Sequence, residues 1–237
     1  MRSRMWSSAV RLLAGLVLLG MGTAAQAVCR DNVVLVHGNN GSPSDFVNTY
    51  NELIARGYTA SQIWRPSWGS SSCYGTCNDH NGSEQTPVNS AITSALAASC
   101  TGKIDVIGHS MGVTLAAKSI IDLGKASKVE TFIGIAGGYR GLWSCGQYPY
   151  NVANATCGYW GLSVSSPFLN WLYAKPIGDW EFSFYSYSDE VVCSTGTCYV
   201  WGVHSSRIAG SDADYLYGYG HYGLLWYTAV DQVNLIQ

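Results

Sequence analysis

Residues 104–113 read IDVIGHSMGV: an apolar run followed by a serine with glycine two residues to either side. The run Ile104–Ile107 reads as a buried strand. After it, Val113, Ala116, Ala117 and Ile120 recur at helical spacing. Ser110 therefore falls at a strand-to-helix turn. If the turn is tight, a Cβ at position 108 or 112 would collide with the neighbouring strand and helix, and glycine is the residue that fits. Such a turn lifts the serine hydroxyl above the sheet. The chain has 27 glycines, so Gly-x-Ser-x-Gly alone is weak evidence and its setting must decide.

The setting is an alternation of strands and helices. Asn32–His37 (NVVLVH) is a continuous β-branched run, as in a strand buried on both faces. Ser42, Pro43 and Asp45 have the order of an N-cap, first helical residue and capping-box acid. Phe46, Val47, Tyr50 and Ile54 would then face inward, with Gly57 as the stop. A short strand near Gln62–Trp64 precedes a long Ser/Gly/Asn-rich loop. A helix opens at Thr86-Pro87 with Val88, Ala91, Ile92, Ala95 and Leu96 as its buried stripe. Strands follow at Val129–Ala136, Glu181–Tyr187 and Asp214–Tyr217, and a last helix at Leu224–Ile236. This pattern predicts an α/β fold: a mostly parallel sheet of about six strands with helices on both faces. In such sheets ligands bind beyond the carboxyl ends of the strands, where Ser110 falls.

The first 27 residues read as a signal peptide: Arg2, Arg4 and Arg11, an apolar stretch from Leu12 to Gly22, and the small-residue cleavage site Ala25-Gln26-Ala27. Residues 28–237 would form a single exported domain. The apolar stretch is too short for stable membrane insertion. All eight cysteines lie after the cleavage site, and an even count in an exported chain implies disulfides. Short separations favour Cys73–Cys77, Cys145–Cys157 and Cys193–Cys198. Cys29 and Cys100 remain, each four residues before a strand, so parallel neighbouring strands would bring them together. Zinc is the competing use, but paired Cys-x-x-Cys spacing is missing, so no metal is expected. Charged residues make up only 12% of the chain, with no basic stripe, which argues against nucleic acid. Aromatic residues reach 13%, which favours apolar or sugar-like contacts.

A serine hydroxyl becomes nucleophilic only with a base, an acid to orient that base, and donors for the developing oxyanion. Of five histidines, His109 adjoins Ser110 and points elsewhere. His37 shapes the loop after the first strand, His80 lies in a polar loop and is expected to be solvated, and His204 sits in a Ser-rich hairpin. His221, in GYGHYG directly after the last strand, is the candidate base; a surface-turn histidine is the plainer alternative. Asp189 follows the strand Glu181–Tyr187 at the same edge and is the candidate acid, with Glu190 beside it as the alternative. Asp189 could also be a simple turn-former. Asp179, Asp212 and Asp214 precede strands, and Asp105 lies within one. The oxyanion donors would be the backbone amides of Met111 and, from the Gly-rich loop after the first strand, Asn39.

Four segments carry a family resemblance: VVLVHG at 33–38, VIGHSMGV at 106–113, YSYSDEVV at 185–192 and GYGHYGLL at 218–225. Together they resemble the small secreted bacterial triacylglycerol lipases of the minimal α/β-hydrolase type, the class 2 lipases. The resemblance implies the α/β-hydrolase fold, Ser110 as nucleophile, Asp189 as acid, His221 as base, and Asn39 and Met111 as oxyanion donors. It implies ester hydrolysis through an acyl-enzyme, with no cofactor and with a lipid or other apolar ester as substrate. Two departures stand out. Val113 replaces a glycine found in many members. Residues 139–180 form an aromatic, cysteine-bearing insertion that would act as a lid, a substrate wall or extra core cover. A polyester depolymerase with the same three residues is an alternative, and so is a catalytically silent lipid- or sugar-binding protein. Oligomeric state leaves no mark in the sequence.

Overall fold

The computed structural model describes residues 29–236; the expected signal peptide lies outside them. In chain order the elements are β1 (Asn32–Val36), α1 (Val47–Ala55), β2 (Ile63–Trp64), α2 (Gln85–Ala98), β3 (Ile104–His109), α3 (Met111–Asp122), β4 (Val129–Ile135), β5 (Leu142–Gln147), β6 (Ser163–Val164), α4 (Pro167–Leu172), β7 (Trp180–Tyr185), β8 (Tyr199–Val200), β9 (Val203–His204), β10 (Ala213–Leu216), α5 (His221–Tyr227) and α6 (Ala229–Leu235). Six strands form one parallel sheet in the order β10-β7-β4-β3-β1-β2.

The β-branched run of β1 is buried throughout because its two faces serve two cores. Val34 and Val36 pack with Ile92 of α2 and Leu115 and Ala116 of α3. Val33 and Leu35 pack with Leu53 of α1, Leu224 and Leu225 of α5 and Val233 of α6. The period of two along the strand thus feeds a helical layer on each side.

Three local expectations are corrected. The inward face of α1 is Thr49 and Leu53, with Phe46 just before it, while Val47 and Ile54 are exposed. The short 3-10 turn Pro43–Phe46 precedes α1 and rotates the helix phase relative to an uninterrupted count from Ser42. The C-terminal helix is broken at Thr228, whose hydroxyl donates to the Leu224 carbonyl, giving α5 and α6. His80 is fully buried rather than solvated. Its Nδ1 donates to the Trp160 carbonyl at 2.7 Å and its Nε2 accepts from Thr114 Oγ1 at 2.7 Å. Burial pushes its pKa down to about 3, so it is the neutral form that makes this bridge.

That bridge ties residues 139–180 to α3. Within this segment, Tyr139 and Phe168 are buried, and α4 sends Phe168, Leu169 and Leu172 into the core shared with α2 and α3. Four disulfides close loops: Cys29–Cys100, Cys73–Cys77, Cys145–Cys157 and Cys193–Cys198. The first joins the approaches to β1 and β3, which are paired in parallel from Asn32 opposite Ile104. No described helix is long and apolar enough to cross a membrane.

Candidate active site

At the end of β3 the chain reverses into α3 through Ser110, which has φ 54° and ψ −130°. This conformation is rare for a residue with a Cβ and is held by its surroundings. The Ser110 amide donates to the Ile135 carbonyl at the end of β4, 2.8 Å away, and the Ser110 carbonyl accepts from Val113 at 3.1 Å. The two flanking glycines answer to different neighbours. A Cβ on Gly108 would lie 2.7 Å from Val113 Cα in α3, and one on Gly112 would overlap the carbonyl oxygens of Val36 and His37. The side chain of Val113 fits because Gly134 and Gly137 lie against it; a Cβ on either would come within about 3 Å of it.

Asp189 and His221 come together although 32 residues separate them. His221 Nδ1 donates to the carboxylate, 2.9 Å from both Oδ1 and Oδ2. Asp189 Oδ1 also accepts the amides of Val191 and Val192 at 2.9 Å. Burial opposes the charge on Asp189, yet the hydrogen bond and attraction of His221, with those amides, outweigh it and hold the carboxyl below its ordinary value. With Nδ1 committed as donor, Nε2 of a neutral His221 is an acceptor.

Ser110 and His221 line one cleft of about 250 Å³ with Asn39, Met111, Tyr74, Leu142, Thr156, Leu162, Val191 and Tyr222. The Ser110 hydroxyl makes no hydrogen bond to the His221 ring in this conformation. Met111 opens α3, whose N-terminus faces the same turn. Asn39 is fixed by its side chain: Nδ2 donates to the Gly75 carbonyl and Oδ1 accepts from Asn78, both at 2.7 Å. Thr156 Oγ1 lies within hydrogen-bond distance of the carbonyls of Gly75 and Asn78, at 2.7 and 2.6 Å, and its one proton serves either. The loop closed by Cys73–Cys77 and the loop closed by Cys145–Cys157 thus meet beside Asn39.

The other histidines serve the frame. His37 Nε2 accepts from the Trp68 amide at 3.2 Å, and its ring stacks on the Trp68 ring. His204 donates to the Ser186 carbonyl at 3.1 Å. His109 donates from Nε2 to the His221 carbonyl at 3.2 Å, and burial, reinforced by nearby His221, pushes its pKa down to about 3. Glu190 is not the partner of the His221 ring; its Oε2 accepts the His221 backbone amide at 2.9 Å. Sequence reasoning missed this role, along with those of Asn78 and His80. The adjacent acids at 189–190 were the only signal for the first, and nothing marked the other two.

Among the described residues, the only cluster of metal-ligating type is Cys193, Cys198 and His204. The two thiols are joined to each other, and both ring nitrogens of His204 are engaged with Ser186 and Ser206. A larger cavity, about 680 Å³, opens at the opposite edge of the sheet, where Cys29, Tyr58, Lys103, Trp180 and Ile236 line it. No serine or histidine lines it, and Asp105, which does, keeps both carboxylate oxygens buried.

A parallel sheet in this strand order, with a serine elbow between β3 and α3, an acid after β7 and a histidine after β10, defines an α/β-hydrolase. The chain belongs to the family described as Lipase (class 2), which matches residues 30–234, and it is accordingly a carboxylic ester hydrolase. No curated protein matches the sequence. Solved structures that share the fold include the following three. Aspergillus fumigatus lipase B matches at TM-score 0.57 and 18% identity over 86% of this chain and 52% of its own, so the chain spans about half of that protein. Mature Bacillus licheniformis lipase BlEst2 matches at TM-score 0.63 and 13% identity, over 89% and 93% of the two chains. An extracellular α/β-hydrolase from a Paenibacillus species matches at TM-score 0.55 and 14% identity, over 85% and 97%.

Proposed function

We propose that the chain is an exported serine lipase or esterase in which Ser110, His221 and Asp189 act together through an acyl-enzyme. The observation that carries this reading is the bond from His221 Nδ1 to Asp189 in a cleft shared with the strained Ser110. Nε2 of His221 takes the Ser110 proton as the hydroxyl oxygen attacks the ester carbonyl, and Asp189 stabilises the resulting imidazolium. The hydrogen bond between Ser110 and His221 closes on substrate binding, as such contacts commonly do. The Met111 and Asn39 amides receive the oxyanion. His221 then protonates the leaving alcohol, and water repeats the sequence on the acyl-enzyme.

The insertion acts as a fixed wall of the cleft. Leu142, Thr156 and Leu162 face the cleft, while α4 and the His80 bridge anchor the segment to α3. Residues 1–27 are removed on export, and residues 28–237 work as one unit on a lipid or other apolar ester.

Mapping a fluorophosphonate adduct tests the whole reading. Modification is expected at Ser110 alone, and both labelling and p-nitrophenyl ester hydrolysis are expected to vanish in His221→Ala. Ligand binding by a protein that is never labelled would instead establish the silent binding protein.

A further inference from the structure

His221 occupies the first position of α5, where a helix has amides with no intrahelical acceptor. The preceding residue, Gly220, is extended at φ −72° and ψ −179° and brings no side chain to cap the helix. Glu190 supplies the missing acceptor from another element: its Oε2 takes the His221 amide at 2.9 Å. Gly220 leaves room for this contact. A Cβ there would stand 2.6 Å from Glu190 Oε2, although that backbone conformation is open to any residue. The same two-residue acidic unit therefore grips His221 twice, with Asp189 on the ring and Glu190 on the backbone. His109 adds a third hold on the carbonyl. The turn carrying both acids is itself fixed, since Cys193 donates its amide to the Asp189 carbonyl at 2.9 Å and is joined to Cys198.

Resting on the reading of His221 as the base, we propose that Glu190 is a positioning residue: it fixes the backbone of His221 so that the ring stays aligned between Asp189 and Ser110. Gly220 is the residue that makes the contact possible. Glu190 touches no reacting atom. Its loss leaves substrate affinity intact and lowers the fraction of time in which Nε2 faces the hydroxyl.

The test is a kinetic cycle on the purified full chain with p-nitrophenyl butyrate. Glu190→Ala is expected to lower kcat about tenfold with KM unchanged, from the strength of a charge-assisted hydrogen bond. Glu190→Gln, which keeps an acceptor oxygen, is expected to recover most of that loss. Gly220→Ala is expected to reproduce the Glu190→Ala defect and to add little to it in the double variant, as for two changes that break one contact. Amide hydrogen exchange at His221 provides a readout independent of turnover and is expected to accelerate in Glu190→Ala. Full kcat in Glu190→Ala, equal loss in the Gln and Ala variants, fully additive defects, or unchanged exchange at His221 each overturn the proposal. Retained activity in His221→Ala would overturn the reading of His221 instead, which separates the two failures.

Discussion

At the scale of single residues, the turn at Ser110 is a place where the chain accepts cost for geometry. Its φ of 54° and ψ of −130° fall where a Cβ is unwelcome, at about 1–3 kcal/mol. Glycine relieves that strain but brings flexibility to the unfolded chain worth about 0.5–1 kcal/mol. Ser110→Gly is therefore expected to be inactive yet more stable than the parent by about 1 kcal/mol, measured by urea denaturation; a less stable variant would show that the turn is unstrained. Gly112→Ala should behave in the opposite way. Its Cβ would meet backbone carbonyls of Val36 and His37, which have no rotamer to escape into. We expect a loss of about 3 kcal/mol or more, read from the denaturation midpoint. Gly108 and Gly112 were legible in the sequence because a steric demand leaves a direct mark on residue type. Glu190 was legible only as an acid, since nothing in its identity says whether it meets a ring or a backbone amide.

At the scale of elements, the buried parallel strands were readable because burial on both faces demands long apolar runs: Val33–Val36 is unbroken in β1, while Asp105 in β3 and Glu130 and Thr131 in β4 interrupt theirs only near the start. The helix α2 was readable from its stripe. The phase of α1 was not, because one 3-10 turn moves the inward face from Val47 and Ile54 to Thr49 and Leu53. The break at Thr228 was hidden for a similar reason: apolar residues on both sides keep helical spacing, and a single hydroxyl-to-carbonyl bond marks the interruption. His80 was misplaced because Asn81, Gly82 and Ser83, which follow it, are exposed while its own ring is packed on Phe168 at 4.1 Å between centroids. Its burial has a measurable consequence. The folded state keeps His80 neutral down to a pKa of about 3, whereas the unfolded chain protonates it near 6.5. The unfolded state thus binds more protons between those values, so this contribution is complete above pH 6.5 and is lost as pH falls toward 3. From pH 6.5 to 5 the loss is about 2 kcal/mol. His80→Gln is expected to flatten the pH dependence of stability by that amount in urea titrations at pH 5 and 6.5; an unchanged slope would refute it.

At the scale of the whole molecule, the sheet separates two ends with different duties. The carboxyl ends of the strands carry the cleft, and disulfides staple the loops around it. The amino ends carry the Cys29–Cys100 bond, which spans 71 residues and constrains the unfolded chain over a long loop. Replacing both cysteines by serine is expected to cost about 4 kcal/mol while leaving the kcat of the folded fraction intact, checked by thermal unfolding and by assay at 20 °C. A fall in kcat without a fall in stability would mean that the far edge communicates with the cleft. Cys29 and Ile236 both line the cavity at that far edge. A carrier protein, affinity handle or bead attached beside Cys29 or Ile236 would therefore hang from the side away from Ser110, and the immobilised enzyme would present its cleft outward.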